Sequence, residues 1–329
     1  MYESFYGLRE RPFELTPNPR FLLLTGKHRE ALSNLNYGLT SRRGLTLLTG
    51  EAGTGKTTLV RSVVDELEKH GATLAYLNNP TITRTEFYEF LATSFGFDGS
   101  ASTSKVRLLA DLERALETRQ RAGALAGLII DEAQALPDRL LEEIRLLANL
   151  ETATEKLLPI VLAGQPELAD KLNQVSLRQL KQRVSLRCNL EPLDARETAE
   201  YIAGRIRIAG GNSVVVFTRQ AVDAIFARSK GIPRLISVIC DNALISGFAA
   251  DRRPVSRDIV EDVCRDFDLA AGAPLAANRL PAGGNGTGPA PKAGLEPVTV
   301  PDSPPAAAGE TGRRTLFEHF SVRRRFSLF

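Results

Sequence analysis

Gly50, Gly55, Lys56 and Thr57 stand in "LLTGEAGTGKTTLVR" at the spacing G-x-x-x-x-G-K-T, with Gly53 as an added glycine inside the loop. Glycines here let backbone N–H groups curl round phosphate oxygens with no Cβ in the way. A helix starting at once adds the positive end of its dipole. On this reading Gly50, Glu51, Ala52, Gly53, Thr54, Gly55, Lys56, Thr57 and Thr58 form a phosphate cradle. Lys56 reaches the β- and γ-phosphates, and the Thr57 hydroxyl ligates Mg²⁺. The ligand implied is a nucleoside triphosphate with its magnesium ion.

"LAGLIIDEAQ" supplies the second half of such a site. An apolar strand carries Asp131 to its C-terminal end, where parallel sheets bind ligands. Asp131 then holds the magnesium through water, and Glu132 orients and activates the attacking water. Gln165 follows a strand expected beside both motifs, where its amide could meet the γ-phosphate or that water; a polar helix entry is the plainer alternative. Arg234 in "KGIPRLI" opens a helix and could reach the γ-phosphate across a cleft; the alternative, a solvated first-turn arginine, is disfavoured at a positive helix end. Arg178 and Arg183 in "LRQLKQRVSLR" precede a strand on an expected subunit surface, so either could act as an arginine finger on a neighbour's nucleotide. A solvated helix face is the competing reading for each. Asn78 and Asn79 end the second strand and could restrain Glu132 or simply mark a turn. His28, His70 and His319 form no cluster and receive no role.

Strands are expected at 44–50, 72–79, 125–131, 157–164 and 185–193. Helical patterns lie between them: in "SKVRLLADLERALETRQ", Leu108, Leu109, Leu112 and Leu116 share one face, and "PDRLLEEIRLLANLE" opens with a proline suited to a first turn. This alternation predicts a parallel sheet sandwiched by helices. After Pro192 the segments 194–209, 217–229, 232–249 and 255–267 all read as helices. The expected domains are therefore an α/β domain with an N-terminal extension (1–193) and a small all-α lid (194–268). From Ala270 to Pro305 the chain holds eight of its 18 prolines and almost no bulky side chains, so 269–312 reads as a disordered linker. In 313–329, Leu316, Phe317, Phe320, Val322, Phe326 and Phe329 interleave with arginines. That segment could dock on a partner or an anionic membrane surface, or be a frayed tail.

The 329 residues are 43% hydrophobic and 25% charged, as in ordinary globular proteins. A net charge of +3 is too small to argue for nucleic acid or an acidic membrane. Cys188, Cys240 and Cys264 lie far apart and read as buried hydrophobes in a reducing compartment. Charges in "MYESFYGLRERPF" occupy the place of a signal peptide's apolar core, and no apolar run is long enough to span a membrane. The expected location is the cytoplasm.

Taken together, the P-loop, "IIDEAQ", the polar residue after strand four, the pre-strand arginines and "GIPR" in a helical lid resemble an AAA+ ATPase over residues 1 to about 267. "FYGLRERPFELTPNPRFLLLTGKHREAL", "DEAQALPDRLLEEIRLLANLET", "VLAGQPEL" and "LRQLKQRV" resemble more narrowly the general secretion pathway protein A group. The resemblance implies ATP with Mg²⁺, hydrolysis to ADP and phosphate, and a homo-oligomer. It also implies residues around Pro12 and Phe13 close to the adenine. Full-length members of that group carry a membrane helix and a peptidoglycan-binding domain after the ATPase. Their absence here makes the chain more like the standalone ATPases of exopolysaccharide and exosortase systems. Its partner would then be export machinery at the envelope, with possible peripheral contact at the inner membrane through the C-terminal segment. The same core resembles DNA-binding transposition helpers, which keeps a DNA-associated ATPase as the alternative; the small charge speaks against it.

Overall fold

Contiguous apolar runs bounded by glycine or proline suit strands buried on both faces of a sheet. The computed structural model, which describes residues 1–14, 19–21, 23–78, 80–97 and 105–268, turns them into β1 (Leu45–Gly50), β2 (Thr73–Leu77), β3 (Ala126–Ile130), β4 (Ile160–Gly164) and β5 (Val184–Leu190). All pairings are parallel, in the order β2-β3-β4-β1-β5. β4 thus lies between β1 and β3, the strands that carry the two motifs. Every residue of β3 and β4 is buried, whereas the edge strand β5 alternates towards solvent.

Every strand differs a little from expectation, and two differ by three residues at one end. β4 starts at Ile160 because Leu157 turns back to bond the Leu150 carbonyl and Pro159 has no N–H for the ladder. β5 stops at Leu190, ahead of Pro192, and the Leu193 N–H bonds Gly231 O instead of a strand.

α1 (Tyr2–Tyr6) lies with the C-terminal helices, and around the sheet stand α2 (Gly26–Thr40), α3 (Lys56–Lys69), α4 (Arg84–Phe95), α5 (Lys105–Arg121), α6 (Asp138–Leu147), α7 (Pro166–Leu172) and α8 (Arg178–Lys181). A reciprocal Thr83–Glu86 capping box starts α4. α5 buries Leu108, Leu112 and Leu116 along one stripe, with Leu109 at its margin. Pro137 sits at the N-cap of α6, one place earlier than the first turn expected. Beyond the sheet follow α9 (Ala195–Ile208), α10 (Ser213–Val216), α11 (Arg219–Ser229), α12 (Pro233–Ala249) and α13 (Arg257–Asp266), with an Asp194–Glu197 capping box opening α9.

The apolar side chains form two clusters, one under the sheet and one among α9–α13. The N-terminal extension, grouped by sequence with residues up to 193, sends Tyr2, Tyr6, Leu8, Phe13 and Phe21 into the helical cluster. Tyr2 Oη donates to Asp241 at 2.5 Å, and Tyr6 Oη donates to the Arg252 carbonyl at 3.1 Å. Gly247 makes this possible, since a Cβ there would lie 2.4 Å from Tyr6 Oη. Burying one such aromatic contributes about 2–3 kcal/mol, enough to hold a short segment that lacks a sheet of its own.

The three cysteines are buried and unbridged, and burial pushes their thiol pKa values up. Among the described residues no helix is long and apolar enough to cross a membrane. The linker and C-terminal segment assigned to 269–312 and 313–329 lie outside the described residues.

Candidate nucleotide-binding site

β1 ends at Gly50, where a Cβ would stand 2.6 Å from the Leu190 carbonyl, so only glycine allows the turn to pass β5 so closely. The loop then doubles back through Gly53 (φ 86°) and Gly55 (φ 102°), both in left-handed backbone. Thr54 Oγ donates to the Glu51 carbonyl at 2.9 Å and closes the loop on itself. No side chain caps α3, so the first N–H groups of this 14-residue helix are presented at the loop.

Lys56 is buried and its ammonium donates to the Gly50 carbonyl at 2.8 Å and the Glu51 carbonyl at 3.0 Å. Burial pulls its pKa down, while the nearby Glu132, Asp131 and Glu51 carboxylates work the other way. Thr57 Oγ donates to Asp131 Oδ2 at 2.6 Å, and Asp131 Oδ1 accepts from the Glu132 N–H at 2.9 Å. Asp131 is itself fully buried at the end of β3. Glu132 adopts left-handed backbone (φ 52°, ψ 35°), uncommon for a residue with a Cβ and a mark of local strain. That turn aims its carboxylate back at the loop.

These groups line a cavity of about 550 Å³ between the sheet and the helices beyond it. Of the residues singled out in the sequence, Ala52, Gly53, Thr54, Gly55, Lys56, Thr57, Thr58, Glu132, Gln165 and Arg234 all reach it. Gly50 and Glu51 meet it through the carbonyls that hold Lys56, and Asp131 through Thr57. Arg234 is fixed by its N–H on the Gly53 carbonyl at 3.2 Å. Gln165 caps the entry of α7 without a side-chain cap bond, and its Nε2 lies 3.4 Å from Glu132 Oε2.

Other expectations fall elsewhere. Arg178 and Arg183 are exposed and do not line this cavity. Asn78 is exposed and accepts from Tyr76 Oη at 3.2 Å, so it does not restrain Glu132; Asn79 lies outside the described residues. Phe13 is fully buried against Phe217 and Arg205, so the cavity is met from the N-terminal segment by Glu14, Phe21 and Leu23, not by Pro12 or Phe13.

Two residues that received no role from the sequence belong to the site. His28 is buried; its Nε2 donates to the Thr54 carbonyl at 3.1 Å while Nδ1 accepts from Thr25 Oγ at 2.8 Å. The carbonyl can only accept, which fixes that tautomer. Arg205 on α9 donates to the Pro12 carbonyl at 2.6 Å and to Tyr201 Oη at 2.5 Å, beneath the Phe21 ring. The one sequence signal for His28 was Thr25, three residues earlier, as a helix cap.

The donor set fits a triphosphate with a hard cation. Free helix-start N–H groups and a buried ammonium suit phosphate oxygens. The Thr57 hydroxyl and Asp131 carboxylate are hard oxygen donors, few in number, as Mg²⁺ prefers when phosphates and water fill its other positions.

Residues 39–172 match the family described as AAA domain. Over 252 residues, 76% of this chain, the sequence is 43% identical to general secretion pathway protein A of Aeromonas hydrophila. The chain belongs to the AAA+ ATPases related to that protein. It spans 45% of that relative's length. Among solved structures, the AAA+ fold is shared with the Aeropyrum pernix ORC2 protein (TM-score 0.58, 17% identity, 80% of this chain and 73% of that one). Cdc6p of Pyrobaculum aerophilum is similar to the same degree (TM-score 0.58, 16% identity, 78% and 70%). The loop at 50–58 and the helices from α9 onward face the same cavity.

Proposed function

We propose that this AAA+ chain binds ATP with Mg²⁺, hydrolyses it to ADP and phosphate, and works as a homo-oligomer that energises or regulates assembly of a secretion or exopolysaccharide export system. The observation that carries the hydrolytic part is the meeting of Lys56, the Thr57–Asp131 pair and Glu132 at one cavity. The similarity to general secretion pathway protein A supports the export role. Residues 194–268 act as the lid and 1–193 as the sheet domain, with the site at their junction.

In this reading the loop N–H groups and Lys56 bind the β- and γ-phosphates, and Thr57 with Asp131 holds Mg²⁺. When bound, Mg²⁺ neutralises charge on the phosphate oxygens. Glu132 orients a water towards the γ-phosphorus and accepts its proton as the bond to the β-phosphate oxygen breaks. Gln165 and Arg234 hold the γ-phosphate from the sheet and lid sides. Arg183, or Arg178 beside it, completes the site of a neighbouring subunit. The oligomer operates on the cytoplasmic side of the envelope, with residues 313–329 available for membrane or partner contact.

Phosphate release by purified protein tests this. The parent should hydrolyse ATP, Glu132→Gln should bind ATP and retain it unhydrolysed, and Lys56→Ala should lose about 100-fold in affinity, as removal of a charged phosphate donor implies. Turnover by Glu132→Gln at the parent's rate would sink the assignment of the base. The export role fails separately if a strain carrying only Glu132→Gln secretes its envelope polymer and proteins normally.

A further inference from the structure

Glu132 is held from behind. Gln134 does not line the cavity, yet its Nε2 donates to Glu132 Oε2 at 2.6 Å. The other end of the same amide, Oε1, accepts from the Gln165 backbone N–H at 3.1 Å. One side chain thereby ties the end of β3 to the first residue after β4. The space for it exists because residue 164 is glycine: a Cβ there would lie 2.6 Å from Gln134 Oε1. Lys171 on α7 anchors the Gln134 backbone, its Nζ standing 3.4 Å from that carbonyl. Among the described residues Glu132 has no ion pair, so these amides are what orients its carboxylate. The two side chains, only two positions apart, meet because Glu132 takes the left-handed turn.

We propose that Gln134 is the positioning residue for hydrolysis: through its two amide bonds it fixes the Glu132 carboxylate towards the cavity. The proposal rests on Glu132 being the base that activates water. A glutamate has three side-chain torsions, and a carboxylate free to turn spends little time in reach of a water in line with the γ-phosphorus. An amide clamped at both ends removes that freedom without competing for the proton. A carboxylate in its place would compete.

Gln134→Ala makes this readable, since it removes both amide bonds and leaves Glu132 itself unchanged. It should lower kcat about 10- to 100-fold, the scale of a misplaced catalytic group. ATP affinity should stay within about twofold, since Gln134 does not reach the cavity; a purely structural role would not separate kcat from affinity this way.

The proposal is overturned if the parent is active and Gln134→Ala turns over at the parent's rate, or loses affinity in step with kcat. If Gln134→Ala does not fold, the same kcat–affinity split in Gln134→Met, similar in size but without the amide, decides. An inactive parent overturns the reading of Glu132, and this proposal with it.

Discussion

His28 on α2 and Thr54 at the crest of the glycine-rich loop are joined by a 3.1 Å hydrogen bond from imidazole to carbonyl. The Thr25 hydroxyl completes the clamp by donating to the other ring nitrogen. A loop that must hold several N–H groups towards one anion gains from such a fixed outer anchor. His28→Ala should weaken ATP binding about five- to tenfold, the worth of one buried neutral hydrogen bond of ~1 kcal/mol. Titration calorimetry with parent and variant checks it, and equal affinities would remove His28 from the site.

The same histidine sets a pH dependence of folding. Burial pulls its pKa below the ordinary 6.5, since protonation would place a second N–H against its neighbours and a charge in the interior. The folded state therefore holds it neutral while the unfolded chain protonates it. Its contribution is fully present above about pH 6.5 and is lost as pH falls towards the folded pKa. Melting temperatures of the parent should drop more steeply below pH 6.5 than those of His28→Gln. Parallel curves would refute this.

Gly53 meets the start of α12 directly. A Cβ there would stand 2.8 Å from Arg234 Cβ, in left-handed backbone at φ 86°. Gly53→Ala should cost about 1–3 kcal/mol of stability from that conformation and also displace Arg234 from the cavity. Calorimetry should show the lower melting temperature, and ATP affinity should fall with it. An unchanged melting temperature would mean that the loop and α12 relax freely.

Arg183 and Arg178 stand exposed, away from the cavity of their own chain. As fingers in an oligomer they would make activity per subunit rise with protein concentration. Arg183→Ala should lower kcat about 1,000-fold or more with little change in ATP affinity. Mixing it with Glu132→Gln should restore part of the activity, because intact arginines of one variant then serve intact carboxylates of the other. No recovery in confirmed mixed oligomers would exclude Arg183.

The sheet and its loop were legible because their signals are local. Central parallel strands are unbroken apolar runs, and the glycines, lysine and threonine between β1 and α3 serve chemistry that few other patterns serve. β4 was misjudged at its start because "LLP" is as apolar as the strand, although a chain reversal comes first. His28 and Arg205 were illegible: each is one polar residue on an otherwise ordinary helix, and its meaning lies in a carbonyl supplied from elsewhere. Gln134 was quoted within "DEAQ" without a role, since residues two apart meet only when the backbone turns left-handed between them. The destination of Tyr2, Tyr6 and Phe13 was hidden for the same reason at longer range.

That destination bears on how the chain is made. Tyr2 and the Asp241 carboxylate that receives its hydroxyl are separated by 239 positions. At the usual pace of the ribosome, roughly 5–20 residues per second, the tyrosine waits on the order of ten to fifty seconds for its partner to emerge. The five strands are complete once residue 190 has left the tunnel, so the sheet half can collapse while the leading segment is still without a seat. The aromatics of that segment stay unburied for the interval, until α12 supplies their partner. A premature stop before Asp241 would leave a completed sheet attached to unburied aromatics at residues 2–21.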